Sequence, residues 1–117
     1  MTMDKPYFFD ANEMEWRPHP RFPTILTKSF ETRASYPDAS VTLVQVGVTG
    51  VIETHVHEVE TETAYVISGR GRLLLGDNEQ ILQAGTGITI PPGLPHSLHN
   101  TEDEPMELFA VHIPPVF

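Results

Sequence analysis

The sequence contains no cysteine, which removes disulfides, thiolate zinc sites and thiol nucleophiles. Histidine and carboxylate are the strong metal ligands it has left. Positive charge is scarce: 7 Lys and Arg stand against 16 Asp and Glu, a formal charge of -9. That balance opposes counterion-release binding to nucleic acid and adhesion to anionic membranes, so neither partner is expected. No apolar run approaches the roughly 18 residues of a membrane span, and the start of the chain has no apolar segment flanked by positive charge. A cytoplasmic location is the expectation. Helical periodicity is missing too, since no stretch longer than about ten residues repeats apolar positions at i, i+3, i+4 and i+7 without a proline or glycine breaking it.

What the chain has is strand and turn chemistry. Its 117 residues suit one domain with a single core. Val41-Thr-Leu-Val-Gln-Val-Gly-Val48 is rich in β-branched residues and reads as a strand. Further strands are expected at Ala64 to Ser68, Arg70 to Leu75, Gln80 to Leu82, Thr86 to Ile90, Ser97 to Asn100 and Glu107 to Ile113. Between them, Gly76-Asp-Asn-Glu79, Ala84-Gly85 and Pro91-Pro-Gly-Leu-Pro95 supply the dihedrals of tight turns. Short strands at this spacing predict an all-β sandwich or barrel. Residues 1–35 differ: Pro6, Pro18, Pro20 and Pro23 forbid a helix interior and predict an extended arm with short edge strands, packed on the barrel of residues 36–117 or on a partner subunit.

Histidines cluster in two places. In Thr54-His-Val-His57 the two imidazoles are two residues apart, so on a strand they share a face at about 7 Å. Glu62 lies at an odd offset from His57 and reaches the same interior only if Glu58 to Thr61 turn the chain. Glu58 and Glu60 then belong to the loop, and either becomes the carboxylate ligand if the turn is built differently. The second cluster ends in Pro95-His-Ser-Leu-His-Asn100, where His96, Leu98 and Asn100 share one face and His99 takes the other. Imidazoles with one carboxylate suit Mn, Fe, Ni, Zn or Cu as divalent ions and disfavour calcium, which prefers oxygen. Three His and one Glu on an octahedral ion leave two positions for a small molecule.

These residues resemble the cupin superfamily, whose first motif is G-x5-H-x-H-x3-4-E-x6-G and whose second is G-x5-P-x-G-x2-H-x3-N. His55, His57, Glu62 and Gly69 fit the first, and Gly85, Pro91, Gly93, His96 and Asn100 fit the second at every spacing. One position departs: Thr49 stands where the first motif has its leading glycine, with Gly50 next to it. The resemblance implies a double-stranded β-helix, or jelly-roll barrel, with a metal held by His55, His57, Glu62 and His96 near one mouth. It also implies a homodimer.

Strand parity predicts an apolar pocket lined by Val44, Val66, Leu98, Phe109 and Val111. Phe109, Val111 and Ile113 are taken as the inner face of the last strand, which turns His112 outward. Asn100 is expected to hold backbone by hydrogen bonding. No separate general acid or base is identified, so catalytic residues beyond the metal site stay unassigned. The leading expectation is a metal-dependent enzyme, of dioxygenase, isomerase or decarboxylase type, acting on a small oxygen-rich molecule. The alternative is a non-catalytic cupin that binds or senses a small ligand.

Overall fold

A computed structural model describes residues 6–117; residues 1–5, the start of the expected arm, lie outside the described residues. Ten strands follow one 3-10 turn at Ala11–Glu13, and no α-helix occurs among the described residues. The strands are β1 (Arg17–Pro18), β2 (Leu26–Glu31), β3 (Ser40–Val46), β4 (Val51–His55), β5 (Thr61–Ser68), β6 (Arg70–Leu75), β7 (Asn78–Gln83), β8 (Gly87–Ile90), β9 (His96–Asn100) and β10 (Met106–Ile113). They form two antiparallel sheets, ordered β1-β2-β3-β10-β5-β8 and β4-β9-β6-β7. From β3 onward the chain changes sheet at every step except β6 to β7, the winding of a double-stranded β-helix. β2, within the segment expected as an arm, pairs with β3 of the same chain.

Alternation along each strand builds the core between the sheets. Val46, Val66, Leu73, Leu82, Leu98, Met106 and Leu108 are buried there. The burial of β10 runs through Met106, Leu108, Ala110 and His112, which corrects the expected parity. Phe109 and Val111 face outward, and His112 faces inward. The outer face of β10 is apolar because the N-terminal segment covers it: the Phe9 and Phe30 rings stack at 4.5 Å, and Phe30 lies 6.3 Å from Phe109. A large apolar side chain at the end of a strand therefore did not mark the core side here.

Turn glycines account for the motif spacing. Gly69, Gly85 and Gly93 all have positive φ, which only glycine adopts without steric cost. Thr49, at the position where the motif has glycine, also has a positive φ of 57°. It is the third residue of a turn closed by the Gly50 N–H donating to the Gly47 carbonyl at 2.8 Å. At the other end of β9, the Asn100 side-chain amide donates to the carbonyls of Val46, Gly47 and Glu104, while its oxygen accepts from the Glu102 N–H. That side chain ties the β3–β4 turn to the β9–β10 loop, as its place in the sequence predicted.

Candidate metal centre

Register brings the site together from both sheets. In the four-stranded sheet His55 on β4 pairs directly with His96 on β9. In the six-stranded sheet Glu62 on β5 pairs directly with His112 on β10. His57 lies beyond the end of β4, in the crossing from one sheet to the other, so two-residue parity is not what aims it.

A bulge aims His55. Between Ile52, opposite Leu98, and His55, opposite His96, β4 has one residue more than β9. Such an insertion reverses the alternation, so Ile52 and His55, an odd number of residues apart, both face the interior.

One ligand atom each from His55, His57, Glu62 and His96 lies within 4.8 Å of the others. The His57 Nε2 is 3.1 Å from the Glu62 Oε1, and the His96 Nε2 is 3.6 Å from the same oxygen. Glu58 and Glu60 are not in this group.

His112 is a further member that parity reasoning missed: its Nε2 is 3.0 Å from the Glu62 Oε1 and its ring is 4.9 Å from that of His57. The signal that identifies it is the β5–β10 register. Glu62 is inward, and a directly paired residue on an antiparallel neighbour shares its face.

Backbone carbonyls fix two of the rings. The Nδ1–H of His55 donates to the Glu53 carbonyl at 2.8 Å, and the Nδ1–H of His96 donates to the Leu94 carbonyl at 2.9 Å. In a neutral imidazole this leaves the Nε2 lone pair free, the arrangement that metal-bound histidines use. The His96 Nε2 is buried and has no hydrogen-bond partner.

Burial pushes the His55 imidazolium down to about 4, with His96 and His57 adding to the effect against the Glu53 carbonyl. For Glu62, burial alone would push the carboxyl up. The hydrogen bonds from His112 and His57, with His96 close by, outweigh it and hold the group well below the usual carboxylate range. Burial likewise lowers His96, but Glu62 and the Leu94 carbonyl win and raise it. An anionic oxygen ringed by imidazole nitrogens fits a divalent cation, whose charge would replace the protons now shared among them.

The cluster forms the floor of a cavity of about 530 Å³. Of the expected pocket residues, Val44 and Leu98 line it. Val66 is fully buried in the core and is not part of the wall, and Phe109 and Val111 are on the outer face. Leu73, Leu108, Ala110 and Ile88 take their places. The mouth is formed by His19, Arg21 and Phe22 from the turn before β2, by Arg33, and by Phe117. No sequence motif marks these residues, because they reach the site only through the packing of the N-terminal segment.

Three comparisons bear on this arrangement. Residues 42–112 match the family model for the cupin domain. A stretch of 61 residues, 52% of this chain, is 31% identical to an uncharacterized protein of Methanocaldococcus jannaschii, and the chain spans only about half (49%) of that protein's length. The fold superposes on KdgF from Halomonas sp. with a TM-score of 0.81 at 22% identity, covering 94% of each chain. It superposes on a predicted oxalate decarboxylase from Thermotoga maritima with a TM-score of 0.84 at 19% identity, covering 92% of this chain and 99% of that one. Identities this low establish a shared fold and no more. With the family model spanning most of the chain and the fold matching along nearly its whole length, the chain belongs to the cupin family.

Proposed function

We propose that this cupin holds a divalent transition metal, Mn, Fe, Ni, Zn or Cu, through the Nε2 atoms of His55, His57 and His96 and the carboxylate of Glu62, and uses it as an enzyme on a small oxygen-rich molecule. The observation that carries the proposal is the buried, unpartnered Nε2 of His96, in a ring whose Nδ1 is committed to a backbone carbonyl. A buried polar atom without a partner costs free energy, and a bound cation removes that cost.

The bound ion supplies Lewis acidity to a chelating carboxylate, enol or hydroxy-ketone, or a site for dioxygen if it is iron. The chain's own residues do the rest. The carbonyls of Glu53 and Leu94 orient His55 and His96, His112 holds the Glu62 carboxylate, and the apolar wall of Leu73, Ile88, Leu98 and Leu108 keeps bulk water from the floor. Decarboxylation, isomerisation and dioxygenation all suit this arrangement. The name of the Thermotoga relative keeps decarboxylation among the reactions to test.

A second reading, a cupin that binds or senses a ligand without turnover, is favoured by the wall itself. Apart from the cluster, His19, His112 and two arginines, its lining is apolar. The two readings separate when the protein loaded with each metal is given small diketones, catechols and hydroxy acids, with oxygen uptake and products followed. Turnover supports the enzyme. Tight binding without turnover on any metal supports the binder.

The homodimer also belongs to this proposal. Tyr65 and Ile67 on β5 are 49% and 47% exposed, an apolar surface of the kind a second copy covers. Sedimentation equilibrium returning the monomer mass at micromolar protein would remove the dimer.

A further inference from the structure

The metal centre is the floor of the cavity, and the chemistry at its mouth is of a different kind. Two of the chain's 7 basic side chains, Arg21 and Arg33, line this one cavity. Glu62, on the floor, is the one acidic side chain that lines it among the described residues. Neither arginine has a carboxylate partner among the described residues, and the ion pair that an arginine does form, Arg72 with Glu79, lies elsewhere. In a chain of formal charge -9, a locally cationic rim runs against the overall composition.

The rim is built, not incidental. The His19 Nδ1 accepts from the backbone N–H groups of Arg21 and Phe22 at 3.0 and 3.2 Å. This closes the turn that presents Arg21 and commits the ring to carrying its proton on Nε2. The ring is packed between Phe22 and Phe117, with centroids 5.0 and 5.1 Å away. The Arg21 guanidinium sits 5.4 Å over the Phe22 ring, whose centroid is in turn 5.0 Å from that of His55. The rim therefore lies no farther from the metal cluster than the sum of those two lengths, about 10 Å. Arg33 is anchored by its Nη2 donating to the Pro115 carbonyl at 3.4 Å.

We infer that the cavity selects an organic anion with two polar ends: chelating oxygens at the metal cluster, and a carboxylate at the rim held by Arg21, Arg33 and the Nε2–H of His19, with a short apolar body between them against the Phe22 ring. A planar guanidinium matches a carboxylate with two parallel hydrogen bonds. The rest of the lining, Val44, Leu73, Leu98 and Leu108 among it, is apolar and would desolvate any further polar group without compensating it. This inference rests on the metal reading above for the floor and on the arginines for the rim, and the two are tested separately.

The probe is 3-(3,4-dihydroxyphenyl)propanoate, a catechol joined by a short chain to a carboxylate, compared with its uncharged amide. Both are titrated by calorimetry into zinc-loaded protein, zinc having no redox chemistry to consume the catechol. The acid is expected to bind about tenfold or more tighter than the amide, the scale of a charge-assisted hydrogen bond. In the double variant Arg21→Gln, Arg33→Gln the preference should shrink to about twofold or less. Both arginines are exposed, so the variant keeps its core.

Acid and amide binding equally, an acid preference that survives in the double variant, or neither compound binding would overturn the inference. His96→Ala tests the floor alone. If the acid preference persists there, the rim stands without the metal. If wild-type protein binds both compounds equally through zinc, the metal stands without the rim.

Discussion

Replacing Thr49 with glycine should stabilise this fold. Thr49 is an exposed β-branched residue held at a φ of 57°, a conformation that costs an L-residue roughly 1–2 kcal/mol. Glycine removes that cost. Against it stand the extra freedom glycine gives the unfolded chain, about 0.4–1 kcal/mol, and the loss of the threonine hydroxyl's bond to the Val48 carbonyl at 2.6 Å. On an exposed residue that bond is worth a few tenths of a kcal/mol. The balance is about 0.5 kcal/mol in favour of glycine, and a domain of 117 residues has an unfolding entropy of roughly 0.25 kcal/mol/K. The expected rise in Tm is therefore about 2 °C, read by calorimetry on metal-free protein beside Thr49→Ala, which keeps the strain and should gain nothing. A Thr49→Gly protein that melts below both wild type and Thr49→Ala would mean that the turn does not need the backbone freedom the motif's glycine provides.

Two further outcomes follow from the centre. His112→Ala should weaken metal binding by about tenfold or more, because the Glu62 carboxylate loses the hydrogen bond that orients it; a metal titration matching wild type would remove His112 from the site. Acidification should release the metal, since each bound Nε2 competes with a proton and an ordinary histidine titrates near pH 6.5. In the metal-free fold His96, raised by Glu62, takes its proton at a higher pH than His55, which is lowered to about 4. Affinity should therefore begin to drop below about pH 7 and fall steeply by about pH 5. Affinity constant across that range would contradict imidazole ligation.

The barrel and the four clustered residues were legible for one reason: their spacing is set by turns that need specific residues. Gly69, Gly85 and Gly93 hold left-handed dihedrals, and a residue that must be glycine leaves a mark any reader of the sequence can find. Asn100 left a similar mark through the two loops it ties. The rest is set by pairing between distant segments. The bulge in β4 that turns His55 inward depends on how β4 registers against β9, and no local pattern encodes it. His112 was assigned to the wrong face because Phe109 and Val111 are apolar, and they are apolar for the N-terminal segment that lies over them. The mouth residues His19, Arg21 and Phe22 come to the site only when that segment folds back along the barrel.

If His55, His57, Glu62 and His96 hold one metal ion, the metal content of the purified protein shows it. Wild-type protein and His96→Ala, purified without added metal and then exposed to Mn, Fe, Ni, Zn and Cu in turn, are washed and measured by elemental analysis. Circular dichroism establishes that both are folded. About one ion per wild-type chain is expected with at least one of these metals, and far less in the variant, which lacks one of the four donors. A folded His96→Ala protein retaining as much metal as wild type, or a wild-type protein that retains none, would contradict it.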